Sequence, residues 1–248
     1  HEKLQRANEF QRNIDLNKPF YAGKFEVTNK QFSQFNNATS SCSPNLPMTS
    51  ISWLYSAAFC HWLFVLEDLQ PFYILNEGAL QGVNGESDGY RLLTEAEWEW
   101  LARKASRPKQ TKFPWGDELK IPPMAGNIAD EHAKGLVPIY VSNYSDGYAG
   151  IAPVGSFNSD KSGLFDLAGN ASEWVHDYYS LVPPEPNNTE LDPMGPQAGE
   201  LHVIKGSNWR SGTITELRAA FREGAKKGRD DTGFRVARYL YGGANVED

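Results

Sequence analysis

Apolar positions along the chain recur with two different spacings, and each predicts its own kind of element. From Ser52 onward, Tyr55, Ala58, Phe59, Trp62, Leu63 and Leu66 return every three or four residues, which predicts a helix with one apolar stripe and His61 on its surface. A shorter helix is predicted after Thr28, a natural N-cap, with Phe32 and Phe35 on one face. The strongest helix signal is Arg91 to Arg103, where Thr94 and Glu97 have the spacing of a capping box. Its acids are read as partners of the helix dipole rather than as catalysts. Short strand-like runs lie at Phe20–Val27, Phe72–Ile74, His202–Lys205 and Thr232–Tyr239. Residues 67–90, 113–157 and 183–196 read as loops rich in Gly or Pro. The polar residues 1–18 read as an edge segment ahead of a single domain over 19–248.

Composition sharpens this picture. Hydrophobic residues make up 40% of 248, with 7 Trp, 11 Tyr and 13 Phe, so the core is expected to be aromatic-rich. The 22 Gly and 15 Pro imply many turns and short elements. A net charge of -7 without a basic stripe argues against nucleic acid as a partner. No run of 18 apolar residues is present, so no membrane contact by this chain is expected. Cys42 sits in a Ser/Pro-rich loop and Cys60 in an apolar run; Cys60 reads as a small buried hydrophobe, and whether the two pair stays open.

The stretch from Gly163 to Trp174 holds the densest candidate chemistry. Asp166 and Glu173 supply hard oxygen atoms at its two ends, and the carbonyls of Gly169 and Ala171 can turn inward where glycine relaxes the backbone, a donor set that suits calcium. The same residues also suit a solvated turn in which Asn170 bonds locally. A second, weaker oxygen-donor set is Asn127 and Asp146 with the carbonyls of Ile128 and Tyr148.

Six motifs then fall in order: Phe25-Glu26-Val27-Thr28-Asn29, Arg91 to Glu99, Phe113-Pro114-Trp115-Gly116, Gly169 to Trp174, Lys205 to Trp209, and Gly233-Phe234-Arg235. Together they resemble the formylglycine-generating enzyme, or sulfatase-modifying factor, superfamily, from about Pro19 to Tyr239. The resemblance implies an α+β, irregular, C-type-lectin-like single domain with small twisted antiparallel sheets, two main helices and much loop. It also implies two structural calcium sites. Asn127, Ile128, Asp146 and Tyr148 would form one; Asp166, Gly169, Ala171 and Glu173 would form the other.

Family members that make formylglycine hold copper(I) with two cysteines in the segment after the glycine turn. Here Ser207 to Leu217 contains no cysteine: Ser211 falls at the first position and the second lands near Ile214. Copper is therefore not expected. A branch typified by a periplasmic oxidase of pyoverdine maturation keeps the fold without the cysteine pair, which leaves an oxidase or modifying enzyme as an alternative. The preferred reading is a calcium-stabilised module for a small-molecule, glycan or protein ligand, bound at Trp209, Arg210, Ser211, Glu216, Arg218 and Arg222. A pocket joining Trp209, Arg210 and Arg222 would suit an anionic or aromatic ligand, whereas Arg218, Arg222 and Arg235 could instead pair with Glu216, Asp230 and Asp231. Among the histidines, His176 is the one singled out. Calcium use points to a periplasmic or extracellular location, and with His1 rather than Met at its start, an upstream signal or anchor is expected to lie outside this sequence.

Overall fold

The computed structural model describes residue 2, residues 4–36 and residues 43–240; Cys42 lies outside the described residues. Helix α1 spans Asn29–Asn36, α2 Trp53–Glu67 and α3 Glu95–Arg103. Each begins where its cap stands. The Ser52 hydroxyl accepts the Tyr55 N–H, and Thr94 and Glu97 form the reciprocal capping box. Gln31 reaches back to the Thr28 N–H while the Thr28 hydroxyl accepts the Gln31 N–H, the same device at α1.

The strands are short and gather into small sheets. A four-stranded sheet has the order β10 (Thr232–Phe234), β6 (Ser172–Tyr178), β8 (His202–Lys205), β9 (Arg222–Ala225). A three-stranded sheet joins β2 (Phe20–Ala22), β11 (Val236–Tyr239) and β5 (Arg91–Leu92). The hairpin β3 (Tyr73–Asn76) and β4 (Ala79–Val83) is antiparallel; the pair β1 (Asn13–Asp15) and β7 (Thr189–Leu191) is parallel, as is β10 against β6. The domain is a loop-rich α+β fold with three α-helices among the described residues. No helix among the described residues is long and apolar enough to cross a membrane.

Strand β6 is buried on both faces, which places it at the centre. Trp174 and its cross-strand partner Ile204 point into one apolar cluster with Phe32, Trp53, Phe59 and Phe234, while Val175 and Val203 point into another with Trp98 and Leu101. Two core layers on opposite faces of one sheet are what the alternation of a strand requires. The α2 stripe differs from the expected one. Trp53, Ser56, Ala57, Phe59 and Cys60 are buried, whereas Tyr55 and Leu66 are exposed. His61 turns its Nδ1 to the Tyr73 carbonyl at 2.7 Å, tying α2 to β3.

Residues 4–18 are fastened to the rest. β1 pairs with β7 in the loop read as irregular, Arg12 pairs with Glu190, and Glu9 is buried.

Candidate functional site

Two loops meet backbone to backbone ahead of β6. A Cβ on Gly169 would lie 2.1 Å from the Asn127 carbonyl oxygen, and a Cβ on Gly126 would lie 2.2 Å from that of Ala168, so both positions need glycine. Asn170 donates its N–H to the Asn127 carbonyl at 2.7 Å and takes the Asn127 amide on its own Oδ1 at 3.2 Å. The two oxygen-donor sets therefore lie side by side with Asn127 and Asn170 between them.

In the first set, Asp146 clamps its loop: Oδ2 accepts the Ile128 N–H at 3.0 Å and Oδ1 accepts the Tyr148 N–H at 2.8 Å. Burial pushes its carboxyl up to about 6. Asn127 is fully buried; its Nδ2 donates to the Gly150 carbonyl at 2.9 Å, while its Oδ1 has no donor.

In the second set, Asp166 Oδ2 accepts the Gly155 N–H at 2.7 Å, and its buried Oδ1 has no donor. Burial pushes this carboxyl up to about 6 as well, with neighbouring Glu173 adding to the effect. Glu173 is gripped by Arg235 through two contacts, at 2.5 and 2.7 Å, and by the Trp98 indole N–H at 2.9 Å. Sequence reading did not single out Glu26, whose Oε1 accepts the Ala171 N–H and whose Oε2 accepts the Asn170 amide, both at 2.9 Å. Burial raises Glu26 well above the usual carboxylate range, with Asp166 and Glu173 contributing. Its position inside the Phe25 to Asn29 motif was the available signal.

Glu26, Asp166 and Glu173 thus bring three buried carboxyl groups to one guanidinium, that of Arg235. Fully ionised, they leave two negative charges without a counter-charge, which burial makes costly. Among the described residues, no hydrogen bond ends on the carbonyls of Ile128, Tyr148, Gly169 or Ala171. The oxygen donors, one orphaned side-chain oxygen in each set and the excess negative charge in the second all suit a hard divalent cation.

The six residues expected to form a ligand surface are divided between two places. Trp209 and Arg210 stack with the guanidinium 4.0 Å from the indole centroid, and Arg210 pairs with Asp230 at 2.5 Å on the surface. Ser211 is buried and accepts the Asn208 N–H on Oγ at 3.1 Å. Glu216 turns back onto the N–H groups of Gly212 and Thr213. Arg218 and Arg222 line a groove beside residues 2–18 instead, which Trp209 does not reach. Arg218 is 1% exposed and lies 2.6 and 2.7 Å from Glu2 and Glu9. Arg222 makes two bonds to Glu95, at 2.6 and 2.9 Å. The expected pocket of Trp209, Arg210 and Arg222 is thus absent from the described structure, and the partners of Arg218, Arg222 and Arg235 are distant acids rather than Glu216, Asp230 and Asp231.

His176 is buried, with its Nδ1 3.1 Å from the Tyr73 hydroxyl, and burial drives it down to about 3. His202 stacks on Trp53 at 3.6 Å, a packing role.

Comparison with known proteins bears on the family and the fold. The chain is 32% identical over 168 residues to a formylglycine-generating enzyme of Thermomonospora curvata, covering 67% of this chain and 45% of that enzyme, so the match spans less than half of that relative's length. Among solved structures, Treponema denticola variable protein 1 is similar with a TM-score of 0.68 at 21% identity, covering 92% of this chain and 87% of that one. PvdO from Pseudomonas aeruginosa is similar with a TM-score of 0.65 at 22% identity, covering 96% and 88%. These two likenesses concern the fold. A model of the sulfatase-modifying factor enzyme 1-like domain matches residues 2–240, and the chain belongs to that family.

Proposed function

We propose that this chain is a calcium-stabilised ligand- or partner-binding domain of the family that does not carry out the copper route to formylglycine. The observation that carries the reading is the chemistry of the segment after the Gly206 turn. Copper(I) is a soft ion that takes thiolates, and this segment offers a hydroxyl at Ser211 and an aliphatic side chain at Ile214. The Ser211 Oγ is already committed to the Asn208 N–H. Cys60 is no substitute, because it is fully buried in the α2 core, where burial raises its thiol well above the ordinary value.

Asn127, Asp146, Asp166 and Glu173 would hold calcium with the carbonyls of Ile128, Tyr148, Gly169 and Ala171. Their task is structural: the ions would neutralise buried carboxylates and pin both loops against β6. A small-molecule, glycan or protein ligand would meet the chain at the Trp209–Arg210 stack, in a periplasmic or extracellular setting rich in calcium.

The test is elemental analysis of protein never exposed to chelator, together with oxygen uptake in the presence of a cysteine-containing peptide. About two calcium ions per chain, no copper and no oxygen uptake are expected. Stoichiometric copper with oxygen uptake would overturn the reading. Oxygen uptake without copper would instead favour a cysteine-independent oxidase of the pyoverdine-maturation kind.

A further inference from the structure

Asp130, His132 and Asp146 form a cluster that neither the sequence motifs nor the two calcium sets contain as a unit. Each offers one ligand atom, and the three atoms lie within 4.8 Å of one another. Asp130 caps the short 3-10 turn Glu131–Ala133, which carries His132 on its rim. Asp130 Oδ1 accepts the His132 N–H at 2.7 Å, and Oδ2 accepts the Asp146 N–H at 2.5 Å. The His132 Nδ1 lies 3.3 Å from Asp130 Oδ2. That is the separation of two donors that share an ion at ligand distances of about 2.1 Å.

Backbone N–H groups occupy one lone pair on each of the four carboxylate oxygens, from Ile128, Tyr148, His132 and Asp146. A carboxylate oxygen has a second lone pair, so all four remain able to bind an ion while their orientation is already fixed. A second observation concerns charge. Asp130 is fully buried and Asp146 nearly so, yet the ion pair found for them among the described residues is that of Asp130 with His132, whose imidazole is neutral unless protonated. Other buried carboxylates, such as Glu97, Glu95 and Glu9, have an arginine instead. Asn127, adjoining Ile128 in the same loop crossing, keeps a fully buried Oδ1 without a donor.

We infer that Asp130, His132 and Asp146 bind a borderline divalent metal ion of the zinc or cobalt type, at a site that shares Asp146 with the first oxygen-donor set and differs from it in using an imidazole. Imidazole suits zinc and its neighbours in the first transition row, whereas calcium takes oxygen. The His132 side chain is 44% exposed, so the ion faces solvent on that side and water completes its coordination. Three protein ligands with an open position is the arrangement of sites where a metal-bound water can exchange.

The test is zinc titration by calorimetry on the full chain dialysed into calcium-free buffer, at neutral pH, with cobalt absorption as a second readout. Wild type is expected to take one zinc ion, with binding at least tenfold weaker in His132→Ala and in Asp130→Asn and unchanged in Glu185→Gln, which alters an exposed loop residue. His132 is on the rim, so its removal leaves the fold intact even if Asp130→Asn does not. No zinc binding by wild type, or equal binding by His132→Ala, would overturn the inference. Equal loss of zinc binding in Glu185→Gln would also overturn it, by showing that the loss in the cluster variants is not specific.

Discussion

Replacing Asp166 by Asn should move stability in opposite directions with and without calcium. The buried Asp166 carboxyl titrates at about 6 against an ordinary 3.8, chiefly because burial penalises its charged form. A carboxyl whose folded value is raised contributes stability that is fully present below about 3.8 and is lost as pH rises through about 6. At pH 7 the loss amounts to about 3 kcal/mol, from roughly two units at 1.36 kcal/mol each. The Asn side chain keeps an acceptor for the Gly155 N–H and places an amide donor where Oδ1 has no partner. In chelator at pH 7, Asp166→Asn is therefore expected to melt higher than wild type, by roughly 6–12 °C at 2–4 °C per kcal/mol. In calcium at about a thousand times its Kd the order reverses, because wild type gains about 4.1 kcal/mol, more than the loss of about 3 kcal/mol, and the variant lacks a charged ligand. Thermal melts of both proteins in calcium and in chelator, at pH 5 and pH 7, provide the assay. A variant less stable than wild type in chelator at pH 7 would refute the electrostatic argument. A wild type indifferent to calcium would refute the calcium reading.

Other perturbations probe other parts of the molecule. His176 is held down at about 3 from an ordinary 6.5, so its contribution is present above 6.5 and lost as pH falls toward 3. At pH 4.5 this costs about 3 kcal/mol, and His176→Gln should flatten the acid side of the stability curve by that amount in denaturant titrations; an unchanged slope would count against it. Gly169→Ala would drive a Cβ to 2.1 Å from a backbone oxygen at a φ of 148°, and should cost about 3 kcal/mol or more. Gly163→Ala, also at positive φ but with open space, should cost only about 1 kcal/mol. Equal melting temperatures for the two glycine variants would show that the loop contact is not tight.

What the sequence disclosed depended on the range of the interaction. Caps were legible at Thr28 and Thr94 because their partners stand three residues away. The α2 stripe was misplaced because that helix is apolar on most of its circumference, so periodicity cannot choose between Tyr55 and Trp53. Strand β6 has no polar face to alternate with, since Glu173 is inside, satisfied by Arg235 from 62 residues away. The same difficulty hid the roles of Arg218 and Arg222. Acids close in sequence were the obvious partners, and the actual ones, Glu9 and Glu95, lie more than a hundred residues distant. Glu26 was concealed in a run that reads as a plain strand, although the structure sets its carboxyl beside the loop of Asp166.

The fastening of Arg218 bears on where this domain can be cut. Among the described residues, its guanidinium bonds to Glu2, Leu4 and Glu9, all within the first nine residues of the sequence. A fragment beginning at the first family motif, near Phe25, would retain the three described helices and both oxygen-donor loops, yet would strip Arg218 of both its acids and of the segment that covers it. The recombinant unit therefore has to be drawn by charge balance as well as by motif, with the polar opening segment kept in place.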